Sequence, residues 1–319
     1  AVWARGCMLC RPTLLPALHL LEIRRTSGVR IQFRSHRTRV KKMEARVEAT
    51  SRRGPSGQPL RGPEQKTLPV DVPEHCSGNV LHMPEIEATN VRDVYETIAD
   101  HWNHTRYKAW PRVDAFIRAL QPGALVADLG CGNGKNIPAV REAGGIPIAG
   151  DISANLAKIA RDSHDSEVMV YDCLCTPLRP GIFDAALSIA VLHHLSNVPR
   201  RVQALREAAR LLRPEGQLLV YCWAIEQGEG ISRSRHRFDS QDVFVPFHYR
   251  TPAVKKQADE SEGEAGQVWE EQLTVCQRYC HVYKEGELEE LLAQVPELEV
   301  VEAYFDTGNW CAIARRRHA

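Results

Sequence analysis

The run Ala124–Lys135, ALVADLGCGNGK, constrains this chain more than any other stretch: an apolar strand ends in Asp128 and opens into Gly130, Gly132 and Gly134. Glycines at alternate positions allow a sharp turn and let a ligand lie against the main chain where a Cβ would collide. The segment that follows, Lys135–Ala143, starts a helix, so its free N–H groups and positive dipole end face the loop. Such a strand, turn and helix form a nucleotide-binding turn.

Spacing narrows the choice of nucleotide. A dinucleotide fingerprint needs a third glycine three positions after the second, and this chain has Lys135 there. What remains, D-x-G-x-G-x-G, resembles the first motif of class I methyltransferases that use S-adenosylmethionine. The resemblance implies an α/β, Rossmann-like fold, with a mostly parallel seven-stranded sheet and helices on both faces. It also implies a loop, Gly130, Cys131, Gly132 and Gly134, that passes close to the methionine part of the cofactor, with Asp128 just before it. An acid at the end of the next strand would hold the ribose hydroxyls, and Asp151, followed by Ile152, closes IPIAGD in that place. Asp172 and Cys173 follow VMVY where the family has an acid or amide near the adenine amino group, and SIAVLHHL puts Ala190 at the end of a buried strand. Open α/β sheets place ligands outside the carboxyl ends of their strands, so these segments converge on one crevice. Asp128 and Asp172 also suit helix or turn caps. For His193 and His194, one packed and one solvated histidine is the plainer expectation, because successive strand side chains face opposite ways.

Charge divides the chain. Residues 1–66 hold 15 Lys and Arg against 4 Asp and Glu, whereas the remainder holds 26 against 36. Residues 1–84 read as a basic extension, rich in Arg, Ser, Pro and Gly, with little periodicity and an expectation of disorder. Three readings stay open for it: a mitochondrial transit peptide, a basic arm adding nucleic-acid affinity, or a stretch upstream of the native start, with Met43 as an alternative start. No apolar run nears the roughly 20 residues needed to cross a membrane. The ten cysteines show no disulfide framework or zinc spacing; Cys276, Cys280 and His281 read as core, and neither disulfide nor metal is expected. A reducing, cytoplasmic compartment, with the nucleus a further possibility, fits that usage.

Residues 85–319 read as the folded domain. Two helices come first, then the strand–loop–helix units, a helix over Pro199–Leu212, a buried strand QLLVYCW, a polar insertion at about 226–275, and a final helix and two strands. Several segments outside the cofactor motifs make a second, narrower resemblance: VYETIADHWNHTRYKAWP, SIAVLHHL, RRVQALREAARLLRPEGQLLVYCWA, QDVFVPFH, RYCHVYKEGELEEL and FDTGNWCAIA. Together they are similar, over about residues 90–317, to the eukaryotic tRNA wobble-uridine carboxymethyl methyltransferases, of the yeast tRNA methyltransferase 9 type and the methyltransferase domain of the AlkB homologue 8 type. The chain departs from that pattern at Phe247, Cys280 and Leu195-Ser196.

This resemblance implies S-adenosylmethionine as cofactor, tRNA as partner and methyl transfer to the carboxylate of 5-carboxymethyluridine. It also implies a small zinc-binding activator subunit that covers an apolar sheet edge. A carboxylate is ionised at neutral pH and needs no general base. It does need a hold, for which Arg106, Lys108 and His194 are the candidates. Phosphate contacts would come from Arg106, Lys108 and Arg112, from Arg200 with Arg201, and from Arg233–Arg237 with Arg250. A small-molecule methyltransferase of the same fold and a non-catalytic relative are the alternatives.

Overall fold

The computed structural model describes residues 65–72, 78–103, 108–227, 236–255 and 269–318. Two short strands, β1 (Gln65–Lys66) and β2 (Leu68–Pro69), come first. Helix α1 (Glu85–Glu87) passes through a π-helical stretch (Ala88–Arg92) into α2 (Asp93–Asn103). Pro111 opens α3 (Pro111–Arg118), at a position where its missing N–H is no loss. Then β3 (Leu125–Leu129), α4 (Ile137–Glu142), β4 (Ile146–Asp151), α5 (Ala154–His164), β5 (Val168–Val170) and β6 (Phe183–Ile189) follow. A 3-10 turn (Leu192–His194) leads into α6 (Val198–Leu211) and β7 (Leu212–Trp223). The remainder is β8 (His236–Arg237), the long strands β9 (Asp242–Lys255) and β10 (Trp269–His281), α7 (Glu287–Leu292), β11 (Leu298–Phe305) and β12 (Asn309–Arg316).

Seven strands form the main sheet in the order β11-β12-β7-β6-β3-β4-β5, parallel except for β12, which runs antiparallel to both neighbours. Strand order reverses between β3 and β6, and there the carboxyl ends splay to leave a crevice. One face of the sheet is covered by α6 and α7 through Leu205, Leu211 and Leu291, the other by α3 and α4 through Val113, Ile117 and Val140. Strands buried on both faces are near-continuously apolar, as in Phe183–Ile189, since neither face meets water. The helices start where the sequence supplies caps: Ser153 Oγ accepts from the Leu156 N–H at 3.2 Å, and Asn197 Oδ1 from the Arg200 N–H at 3.1 Å. No helix among the described residues is long and apolar enough to cross a membrane.

Three expectations change. The polar insertion at 226–275 contains most of a long antiparallel ribbon, β9 with β10, extended by β2 into a second sheet. Its base buries Val243, Val245, Cys280 and Val282 against Phe238, a core too small to show in average hydropathy. The folded part also begins before Glu85: β2 pairs with β9, Thr67 Oγ1 donates to the Arg237 carbonyl, and the carbonyls of Val80 and His82 accept from Arg200. Finally, Arg200 and Arg201 are not surface cations. Arg200 is fully buried in an ion pair with Glu87 at 2.9 Å, and Arg201 is buried with Nε donating to the Leu195 carbonyl. The site at about 233–235 lies outside the described residues, as does the side chain of Arg250.

Candidate active site

The loop after β3 is built from left-handed backbone. Gly130, Gly132 and Gly134 have φ of +80°, +57° and +77°, and their surroundings divide the work among them. A Cβ on Gly130 would strike Val191 at 2.5 Å, and one on Gly134 would strike His164 and Ile137 below 3 Å. At Gly132 the nearest atom to such a Cβ is Trp102 Nε1 at 4.0 Å, so this glycine faces an open cavity. Gly130, Cys131, Gly132, Asp151, Ile152, Asp172, Cys173 and Ala190 all line that cavity.

Asp128 and Gly134 do not. Asp128 is buried beneath the loop, where its Oδ2 accepts from Asn136 at 3.2 Å and its Oδ1 has no partner among the described residues. Burial lifts its carboxyl to about 6. The wall residue is Asn136, and Asp128 positions it. Gly134 serves helix packing against α5. A motif shows where a residue falls in a loop but not which way the loop turns it.

Asp151 closes β4 on the cavity wall. Its Oδ2 accepts from the Gly132 N–H at 2.8 Å and its Oδ1 from the Ser153 N–H at 2.9 Å, which fixes the carboxylate between loop and helix start. Burial pushes its pKa up, against the pull of those amide donors. A carboxylate offers about four acceptor sites, so lone pairs remain to face the cavity. Asp172 is part-exposed further along, its Oδ1 accepting from the Leu174 N–H at 2.9 Å. Two acids, a glycine-rich loop and apolar walls suit the ribose, amino-acid and adenine parts of S-adenosylmethionine.

Opposite these residues the cavity is aromatic. Tyr95 and Trp102 come from α2, Trp110 from the residue before α3, His193 and His194 from the 3-10 turn, and Trp223 from the end of β7. Glu96 ties α2 in place, accepting from Ser153 Oγ at 2.6 Å beside Asp151. Lys135, where a dinucleotide fold would have glycine, lies 4.2 Å from the Trp110 ring centre.

His193 and His194 are both buried, because the chain has left the strand for a 3-10 turn by that point and alternation no longer applies. The Tyr279 carbonyl can only accept, so His194 Nδ1 carries the proton and donates to it at 2.8 Å. Its Nε2 then accepts from the Tyr95 hydroxyl at 2.9 Å. Burial, with the Arg278 charge adding to it, lowers His194 to about 4. It is therefore neutral at pH 7, with both ring nitrogens engaged by protein partners. Lys108 is exposed, and Arg106 lies outside the described residues.

Sequence reasoning missed Arg278, whose RYCHVY setting reads as core. It lies on β10 with 4% of its surface exposed, and its guanidinium carbon sits 5.2, 5.4 and 5.8 Å from the ring centres of Trp102, Phe247 and Trp223. Nearby, His193, His194 and Cys280 bring their ligating atoms within 4.8 Å of one another. Both nitrogens of His194 are already committed, burial keeps the Cys280 thiol protonated with a pKa of about 12, and Arg278 adjoins; that field opposes a metal ion.

Fold and cavity together define a class I S-adenosylmethionine-dependent methyltransferase. Residues 127–220 match the methyltransferase domain family. A Burkholderia thailandensis 1,6-didemethyltoxoflavin N1-methyltransferase, solved with S-adenosylhomocysteine, shares the fold at a TM-score of 0.51 and 19% identity, over 79% of this chain and 95% of that one. More specifically, the chain belongs to the tRNA (carboxymethyluridine(34)-5-O)-methyltransferase family. It is 37% identical to the Schizosaccharomyces pombe member over 73% of this chain and 99% of that protein, and 34% identical to the Saccharomyces cerevisiae member over 73% and 98%. The mouse member, ALKBH8, is 34% identical over 73% of this chain, which spans 44% of that longer protein.

Proposed function

We propose that this protein transfers a methyl group from S-adenosylmethionine to the carboxylate of 5-carboxymethyluridine at the wobble position of tRNA. The observation that carries this reading is the similarity to the two yeast enzymes over nearly their whole length, which includes the aromatic half of the cavity and not only the cofactor half. It also favours tRNA over the small-molecule alternative.

Bound S-adenosylmethionine would supply an electrophilic methyl group on sulfur. Asp151 would hold the ribose hydroxyls, Asp172 the adenine side, and the Gly130–Gly132 backbone the methionine part. The substrate carboxylate, ionised at neutral pH, would take that methyl without any proton having to be moved by the protein. A neutral His194 suits this chemistry, since nothing in it calls for an acid or base. What the protein contributes is placement, which can be worth several kcal/mol. Incubating the protein with S-adenosylmethionine and tRNA that bears the free acid, then digesting to nucleosides for mass spectrometry, should show the methyl ester appear. Methylation of the free nucleoside as fast as of tRNA would sink the reading.

We also propose that an activator subunit binds the free edge of the main sheet at β5. In support, β5 is only three residues long, its outer edge has no strand partner among the described residues, and Val170 there is 57% exposed. An exposed apolar edge strand is a template for pairing with another chain.

A further inference from the structure

Arg278 is a buried cation whose charge nothing in the described structure neutralises. Among the described residues no carboxylate lies within ion-pair distance of it, and its Nε is buried without a hydrogen-bond partner. Its Nη1 donates to the Tyr95 hydroxyl at 3.5 Å. Three aromatic rings surround the guanidinium, and each offers cation–π attraction. Those rings stabilise a positive charge but accept none of its fork of N–H donors. Burying an unpaired charge is costly, so a folded chain that does it has a reason to.

The groups around Arg278 keep it available. His193, His194 and His236 face it, and burial holds each well toward the neutral form, so none repels it. Tyr95 links it to the chain already described: Arg278 donates to the Tyr95 oxygen, Tyr95 donates to His194 Nε2, and His194 Nδ1–H donates to the Tyr279 carbonyl. Each donor and acceptor has one direction it can take. The cation is thereby oriented from the rear while its Nε is left without an acceptor. Tyr95, Trp102 and Trp223, the groups it touches, are themselves walls of the cavity that holds Asp151 at its other end.

We propose that Arg278 binds the carboxylate of the wobble 5-carboxymethyl group, as the counter-charge that this buried guanidinium lacks. The proposal rests on the wobble-uridine reading above. A guanidinium matches a carboxylate as a planar fork, and aromatic walls suit an unstacked base carrying it. A backbone phosphate, by contrast, would have to leave water and enter a ring-lined recess. Arg278 stands behind the cavity lining rather than on it, so the carboxylate would reach it past Tyr95, Trp102 and Trp223.

The test separates binding from turnover. With the full chain loaded with S-adenosylhomocysteine, anticodon stem-loops are titrated that carry carboxymethyluridine, its neutral carbamoylmethyl isostere, or uridine. Wild-type protein should bind the carboxylate at least tenfold tighter than the amide. Arg278→Gln should bind the two alike, with its S-adenosylhomocysteine affinity within twofold of wild type. Arg278→Lys, which keeps the charge and loses the fork, should retain part of the preference and serves where the glutamine variant fails to fold. Equal affinities in wild type, or an undiminished preference in either variant, overturns the proposal. Failure of wild type to methylate the carboxymethyl stem-loop while still preferring it would instead overturn the reaction assigned above and leave this site standing.

Discussion

At the scale of single residues, the acids at strand ends were legible because their position follows from local pattern alone. Asp151 and Asp172 sit where an apolar run stops, and the fold brings all such stops to one crevice. Arg278 was not legible: its burial depends on β10 packing beside α2 and β7, and no local pattern in RYCHVY records that. Nor was the charge state of His194, which follows from burial. Replacing Asp151 with alanine would remove the proposed acceptor for the ribose hydroxyls and free the Gly132 and Ser153 amides. We expect S-adenosylmethionine affinity to fall by about 2–4 kcal/mol, the scale of charge-assisted hydrogen bonds, as read by calorimetric titration of the folded variant. The buried histidines set a second expectation. His194 and His236 fall from 6.5 to about 4 on folding, so below pH 6.5 the unfolded chain takes up their protons first and stability drops as pH falls toward 4. Asp128, lifted from 3.8 to about 6, works the other way over pH 6 to 3.8 and offsets one of them. His193 is lowered further still, so three buried histidines oppose the one lifted Asp128 and stability should fall as pH drops from 6 toward 4. Urea unfolding at a series of pH values checks it, and an equal midpoint at pH 6 and pH 4.5 would contradict it.

Elements were read well where one period ruled. The helices and main-sheet strands fall within a few residues of their expected places, and capping residues fix where the helices begin. The ribbon of β9 and β10 was missed because only its base is buried, so its inward residues are few and stand among polar neighbours, with Pro246 inside the run. The approach to α2 is another element that tertiary structure decides. Glu87 accepts from Arg200 Nε and from the Ser196 hydroxyl and amide, all buried, which pins α1 to the start of α6. Glu87→Gln leaves the buried Arg200 charge with only the 3.7 Å approach of Asp172 Oδ2 as counter-charge. Loss of one member of a buried pair costs about 3–5 kcal/mol, so we expect a large drop in thermal midpoint. Arg92→Gln, which removes only an exposed pair with Asp93 one residue along the same helix, should move it by less than a fifth as much.

For the whole molecule, the sequence showed a charge division but not which arginines meet solvent. Arg200 and Arg201, adjacent in sequence, suggest phosphate contacts until the fold turns both inward. Arg237 does reach the surface. If tRNA is held partly through phosphates, log affinity should fall linearly with log salt, and Arg237→Gln should lower the magnitude of that slope by about one. Filter binding from low to physiological salt gives the slope; an unchanged slope in the variant removes Arg237 from the interface.

The solitary guanidinium behind the aromatic wall bears on what would happen after the chemistry. On the proposed reading, esterification would turn an anion into a neutral group, so methyl transfer would also cancel the attraction that seated the base. The protein would then hold a product it has no charge reason to keep. Product would leave without help from that contact, and finished tRNA would compete only weakly with the unmodified acid for the next turnover.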